Sequence, residues 1–241
     1  MQERRVSALL MGGQACVLYG GAEFSRDTDL AIVADAANLI RLKKALLDLQ
    51  AEPIAMPPLE LRYLRRGHAI HFRCHHPEAS GMRVDIMSRM RGVSTFGPLW
   101  RRRTSLEFPD GQIANVMALP DLLLAKKTQR DKDWPMIRRL VEAHHFENFL
   151  KPSAGHIRFW FLELRTPELL VNLGRSHGVR ARALTPKRKL LRHALSGDMN
   201  SLRSSLREEE DAERERDRRY WEPLRRELER LRRERNLNPR T

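Results

Sequence analysis

Apolar residues fall in short runs over the first half of the chain and at helical spacing in the second. Residues 6–11 (VSALLM) form one such run, closed by Gly12-Gly13, and residues 28–33 (TDLAIV) form another. Runs of this length bounded by turn residues predict buried strands. Between them, QACVLYGG fits a short helix closing at Gly20 and Gly21, good C-terminal stop residues. ANLIRLKKALLDLQ (37–50) gathers Leu39, Ile40, Leu42, Leu46 and Leu47 on one helical face. After a break at PIAMPP, residues 68–76 (HAIHFRCHH) and 82–88 (MRVDIMS) read as strands joined by the turn PEASG. TSLEF and QIANVMAL flank PDG as a second hairpin. From Pro120, LPDLLLAKKTQRDKDWPMIRRLVEAHH reads as helix, with Pro135 inviting a break or a new first turn. The pattern predicts an α/β fold: a small mixed sheet with flanking helices over residues 1–119, followed by a helical region over 120–241. No internal repeat is present.

Charge adds a bias to this outline. Residues 1–150 carry 22 Lys and Arg against 17 Asp and Glu, a net +5; residues 151–241 carry 23 against 14, a net +9. Such an excess predicts a polyanionic partner for the helical region. The segment EEEDAERERDRR alternates in sign and reads instead as a solvated helix. With 41% apolar and 32% charged residues and no apolar run long enough for a bilayer, no membrane partner is expected. MQERRVSALLMGG superficially resembles a signal peptide, but the apolar stretch breaks at Gly12-Gly13, so none is expected. Cys16 and Cys74 lack CxxC or ligand spacing, which fits a reducing cytoplasm.

The chemistry concentrates in carboxylates. Asp27 and Asp29 stand two apart at the mouth of TDLAIV and should share a face of the strand. Asp85 lies between Val84 and Ile86 and should occupy a central strand. Three such aspartates offer an all-oxygen site for Mg²⁺, and two ions so held can clamp the attacking and leaving oxygens of a phosphoryl-type transfer. Taken alone, an Asp-x-Asp equally well borders a turn.

Gly12-Gly13, thirteen residues, Asp27-x-Asp29 with an apolar strand, and then a later strand Asp85 resemble the nucleotidyltransferase superfamily related to DNA polymerase beta. The bacterial branch containing abortive-infection and toxin-type enzymes is the nearest in pattern. LPDLLLAKKTQRDKDWPMIRRL resembles that branch's helical segment, so the likeness covers about residues 6–145. It implies a nucleotidyltransferase-type sheet and Mg²⁺-dependent transfer of a nucleoside monophosphate from an NTP to a hydroxyl. RNA, in particular tRNA, is the implied acceptor, with an antitoxin protein as a possible companion. The alternatives are a small antibiotic-like acceptor, or a non-catalytic nucleotide- or nucleic-acid-binding protein of the same fold. On this likeness Gly12 and Gly13 approach the phosphates, Asp27, Asp29 and Asp85 hold two metal ions, and Asp85 also positions or deprotonates the acceptor hydroxyl. Lys126 or Lys127 would neutralise phosphates. Many members have Gly-Ser where this chain has Gly12-Gly13, and Ser25 or Thr28 are the residues placed to compensate.

Two further groups compete for attention. His68, His71, Cys74, His75 and His76 have zinc-binding chemistry, but in a strand His71 and His75 face one way and Cys74 and His76 the other. Arg180, Arg182, Lys187, Arg188 and Lys189 form a basic stretch expected to contact RNA phosphates or to be a solvated surface. FWFLEL (159–164) reads as helical core, and Trp221, Leu224, Leu228 and Leu231 as a short apolar seam for dimerisation or for packing on the protein itself.

Overall fold

A computed structural model describes residues 1–237. Seven strands among them form one mixed sheet: β1 (Ala8–Met11), β2 (Asp27–Ile32), β3 (Glu52–Pro53), β4 (Ile70–Arg73), β5 (Arg83–Met87), β6 (Thr104–Glu107) and β7 (Ile113–Val116). Their order is β3-β4-β5-β2-β1-β7-β6. The pairs β2/β5 and β1/β7 are parallel and the other four antiparallel. The helices that accompany the sheet are α1 (Gly12–Leu18), α2 (Ala36–Asp48), α3 (Leu61–Arg66), α4 (Phe96–Arg102) and α5 (Leu119–Lys126). After them come α6 (Asp133–Asn148), α7 (Ala154–Glu163), α8 (Pro167–Ser176), α9 (Gly178–Leu184), α10 (Leu191–Ser196) and the long α11 (Met199–Leu237). The fold is of the α/β class, a mixed sheet with flanking helices and a long helical C-terminal region. No helix among the described residues is long and apolar enough to cross a membrane.

Two compact units can be distinguished. The first contains Met1–Leu18, Phe24–Ala125 and the chain from Arg218 onward; the second contains Tyr19–Glu23 and Lys126–Asp217. The change of character expected near residue 120 thus falls after Ala125, and α11 contributes to both units.

The first unit's core gathers Leu30 and Ile32 of β2, Leu42 and Leu46 of α2, Ile70 and Phe72 of β4, Val84 and Ile86 of β5, and Leu231 of α11. Leu224 and Leu231, seven residues apart, are both buried, so the C-terminal seam packs within this unit. The inner face of α2 differs from the apolar stripe expected. It buries Asn38, Leu42, Ala45 and Leu46, spaced at 3.6-residue rhythm, while Ile40 and Leu47 lie exposed. Asn38 is fully buried because it is fully used: its carboxamide oxygen accepts from Ser7 N–H at 2.8 Å, and its Nδ2 donates to the Ser7 carbonyl at 3.1 Å and the Val33 carbonyl at 3.0 Å. It therefore ties the entry to β1 to the exit from β2.

In the second unit, Trp134, Ile137, Leu140, Ile157, Trp160, Phe161, Leu170 and Leu191 are buried. Trp160, Phe161 and Leu164 supply the core role expected of FWFLEL. The helix expected to run on from Pro120 ends at Lys126 and restarts at Asp133, with Pro135 in the first turn of α6 where its missing N–H costs nothing. Asp133, 1% exposed, suits this helix start. It accepts hydrogen bonds from Lys126, Thr128 and Arg130.

Replacing Asn38 with Ala removes the carboxamide partner of the Ser7 N–H and of the Val33 carbonyl, while the Ser7 carbonyl keeps the Val33 N–H. Each group left unpartnered costs about 1–3 kcal/mol, so a loss of about 2–4 kcal/mol is expected in chemical denaturation. A loss below about 0.5 kcal/mol would show that water replaces the carboxamide without penalty.

Candidate active site

The parallel pairing of β2 with β5 sets Asp29 beside Asp85 and Asp27 beside Arg83. The antiparallel pairing of β4 with β5 sets His71 on the other side of Asp85. Residues opposite one another or two apart share a sheet face, so Asp27, Asp29, Arg83, Asp85 and His71 occupy one face of three adjoining strands. Burial explains why this end is accessible. Leu30, Ala31 and Ile32 are buried, whereas Asp27, Thr28 and Asp29 are only half-buried. The expectation that Asp85 stands in a central strand holds, since β5 lies between β4 and β2 and Asp85 is 8% exposed.

The two glycines are required by this face. Gly12 has φ of +68°, and a Cβ there would lie 1.8 Å from Asp29 Oδ2. Only glycine reconciles that backbone with a carboxylate pressed against it. Gly13 N–H donates to Asp29 Oδ2 at 3.3 Å. A Cβ on Gly13 would lie 2.3 Å from Ser25 Oγ, so the Ser25 hydroxyl occupies the space that a side chain at position 13 would take. Ser25 Oγ is itself oriented by donating to the Asp27 carbonyl at 3.1 Å. Thr28 contacts Met82 Sδ and points to the other face of β2, which leaves Ser25 as the hydroxyl beside the glycine turn.

Arg83 is the cation of the cluster. Its Nε and Nη2 donate to Asp85 Oδ1 and Oδ2 at 2.8 and 2.9 Å, a bidentate pair. His71 Nδ1 lies 2.8 Å from Asp85 Oδ1 and 3.1 Å from Arg83 Nη2. Burial pushes the Asp85 carboxyl up, but the hydrogen bonds from His71 and Arg83 and their charges outweigh it and hold Asp85 below the ordinary 3.8. The Asp85 hydrogen bond is the largest cause holding Arg83 above its ordinary value. The charges of Asp85, Asp27 and Asp29 add to it against the opposing cost of burial.

Carboxylates at adjoining register are the donor type that a hard divalent cation such as Mg²⁺ favours. Among the described residues no three His, Cys, Asp or Glu side chains converge as a ready ligand group. On this face Asp85 is turned toward Arg83 and His71.

The remaining residues singled out by sequence lie elsewhere. Lys126 is buried against Asp133 at 3.4 Å, and Lys127 pairs with Glu163 at 2.7 Å; both belong to the second unit. Arg180, Arg182, Lys187 and Lys189 are exposed in that unit. Arg188 is not part of that surface. It is 6% exposed, pairs with Glu209 at 2.9 Å and donates to the Phe161 and Leu164 carbonyls. Its fork closes α7 onto α11, so it is corrected from a phosphate contact to a structural residue. The strand expected over 68–76 is shorter, β4 covering only Ile70–Arg73, and the histidine run divides among separate partners. His71 serves Asp85, Cys74 is buried in the core, and His68 is buried against Glu227 at 2.9 Å. Sequence reasoning missed the roles of Arg83 and His71. The signal was there in RVD, whose i, i+2 spacing puts Arg83 and Asp85 on one face.

No protein-family model matches the chain, and no curated protein matches it in sequence.

Replacing Arg83 with Met removes the bidentate partner of Asp85. Because Arg83 is half exposed, a loss of about 1–2 kcal/mol at pH 7 is expected. Asp85 has a lowered folded pKa, so the stability it contributes is present above 3.8 and is lost as pH falls below that value. In acid-titrated denaturation the gap between parent and variant should therefore narrow as pH falls below 3.8, and a gap that stays constant through that fall would overturn the assignment.

Proposed function

We propose that the first unit transfers a nucleoside monophosphate from an NTP to a hydroxyl of RNA, releasing pyrophosphate. The observation that supports this most is the meeting of Asp27, Asp29 and Asp85 on one sheet face beside a glycine turn packed on Asp29. Gly12 and Gly13, at the start of α1, bring the backbone against Asp29, with the Gly13 N–H donating to it and the Ser25 hydroxyl alongside. Asp27, Asp29 and Asp85 are the residues that would hold Mg²⁺, two ions in this reading, and the bound metal would supply charge neutralisation of the triphosphate.

The acceptor oxygen attacks the α-phosphorus as the bond to the pyrophosphate oxygen breaks, and the hydroxyl proton passes to Asp85. With a depressed pKa, Asp85 is a weak base. Its contribution is chiefly to orient the hydroxyl, and the proton goes on from Asp85 to solvent. For Asp85 to take this role, Arg83 would have to release it. The exposed Arg180, Arg182, Lys187 and Lys189, in a region of net +9, support RNA as the acceptor, tRNA included. The Arg83 clamp on Asp85 favours a second reading, a nucleotide-binding protein without transfer.

Incubation with each α-labelled NTP, Mg²⁺ and total RNA separates the two. The parent is expected to label RNA with at least one NTP, and Asp27→Asn and Asp29→Asn to label none while staying folded. Asp85→Asn should still bind NTP with turnover lower by about 10²–10⁴-fold. Nucleotide binding with no labelling would establish the second reading, and an active Asp27→Asn protein would overturn the carboxylate assignment.

A further inference from the structure

Beyond the carboxylate face, the first unit has a cavity of about 310 Å³ at the far end of β5. The chain leaves β5 at Met87 and runs as an irregular loop, Ser88 to Thr95, before α4 begins. This loop forms one wall, and Arg66 of α3 and Tyr220 of α11 complete it. Three guanidiniums, Arg66, Arg89 and Arg91, therefore border one small space. Arg66 pairs with Glu227, and Arg89 donates from Nη1 to the Arg65 carbonyl at 3.0 Å, which fixes its direction. Between the loop arginines, Val93 N–H closes a turn on the Met90 carbonyl at 3.3 Å, with Gly92 at φ +71°. A Cβ on Gly92 would meet nothing within 4 Å, so the backbone of that turn is open to approach.

Arg66 already has Glu227 as its counter-charge, and an anion in the cavity would add charge-assisted hydrogen bonds to the arginines that border it. Their planar forks match the oxygens of a phosphate. The cavity lies at the low end of the size range for small-molecule sites, enough for one nucleotide. Tyr220 gives it an aromatic side on which a base can stack. Arg89, Ser94 and Thr95 are exposed, so a strand can enter and leave across them. We propose that this cavity binds one nucleotide unit of a single-stranded RNA, its phosphate on Arg89, Arg91 and Arg66 and its base against Tyr220. Ser88 lies one residue beyond β5 and donates from Oγ to the Leu64 carbonyl of α3, so the cavity stands on the sheet side of Val84 and Ile86, opposite Asp85. The inference rests on the proposed function only in taking this RNA to be the acceptor; the binding itself needs neither NTP nor transfer.

The test is fluorescence anisotropy of a labelled 12-nucleotide single-stranded RNA with the full chain, between about 50 and 300 mM salt. Arg89→Ala/Arg91→Ala is expected to weaken binding about tenfold or more and to flatten the log–log salt slope by about 1.4, two contacts at about 0.7 each. Ser94→Glu keeps every arginine, places an anion at the exposed rim and should weaken binding too, which serves if the double variant folds poorly. Lys43→Ala/Lys44→Ala, two exposed cations of α2, should stay within twofold of the parent. RNA binding unaffected by either cavity variant, or weakened equally by the α2 pair, would overturn the site. Displacement of the RNA by AMP at the oligonucleotide's own concentration would overturn the strand in favour of a mononucleotide. A protein that transfers nothing yet binds RNA through these arginines would keep this inference while the transfer reading fell.

Discussion

Everything at the candidate site depends on how one sheet face tolerates several carboxylates. Two unit charges about 5 Å apart, the spacing of neighbouring strands, repel by about 3 kcal/mol at an effective dielectric constant near 20. Asp27, Asp29 and Asp85 would meet such a cost without a cation among them. Arg83 is that cation, because it is two residues from Asp85 on the same strand and opposite Asp27 on the next. The folded protein thus carries its own counter-charge where the proposed chemistry would place metal. With Arg83 in place the carboxylates have their counter-charge, and under the proposed function a bound metal would have to take over that role.

The topology makes this face possible. Only the parallel pairing of β2 with β5 sets Asp29 level with Asp85 and Asp27 level with Arg83 at the same time. Reversing one strand, or slipping it by one residue, would move a carboxylate out of line or turn it into the core. The Gly12-Gly13 turn fixes the other boundary, since Asp29 and Ser25 together leave no space for side chains there. Asn38, joining the ends of β1 and β2, holds these two strands in the alignment that the glycine turn needs.

The strands were legible because each is a short apolar run between turn residues, and the three aspartates because two stand at a strand mouth and one between apolar neighbours. What escaped was lateral. Nothing in one sequence states that β5 pairs with β2 on one side and β4 on the other, so Arg83 and His71 were not joined to Asp85. α2 was read by counting apolar residues, whereas a fully hydrogen-bonded asparagine displaced Ile40 and Leu47 from the core side. Arg188 was read as surface charge because composition does not distinguish an arginine facing water from one closing on two carbonyls and a glutamate. In each case a tertiary partner far along the chain decided the role.

The course of α11 carries a consequence for how the polypeptide is made. Leu231 lies in the core built by β2, β4 and β5, and Glu227 is the partner of the fully buried His68, 159 residues earlier. The sheet emerges from a ribosome long before this helix does, and the whole second unit is synthesised in between. During that interval the newly made sheet has an unfilled apolar groove and a buried imidazole without its carboxylate. The nascent first unit therefore keeps that apolar surface exposed until α11 docks on it, and only then reaches its finished form.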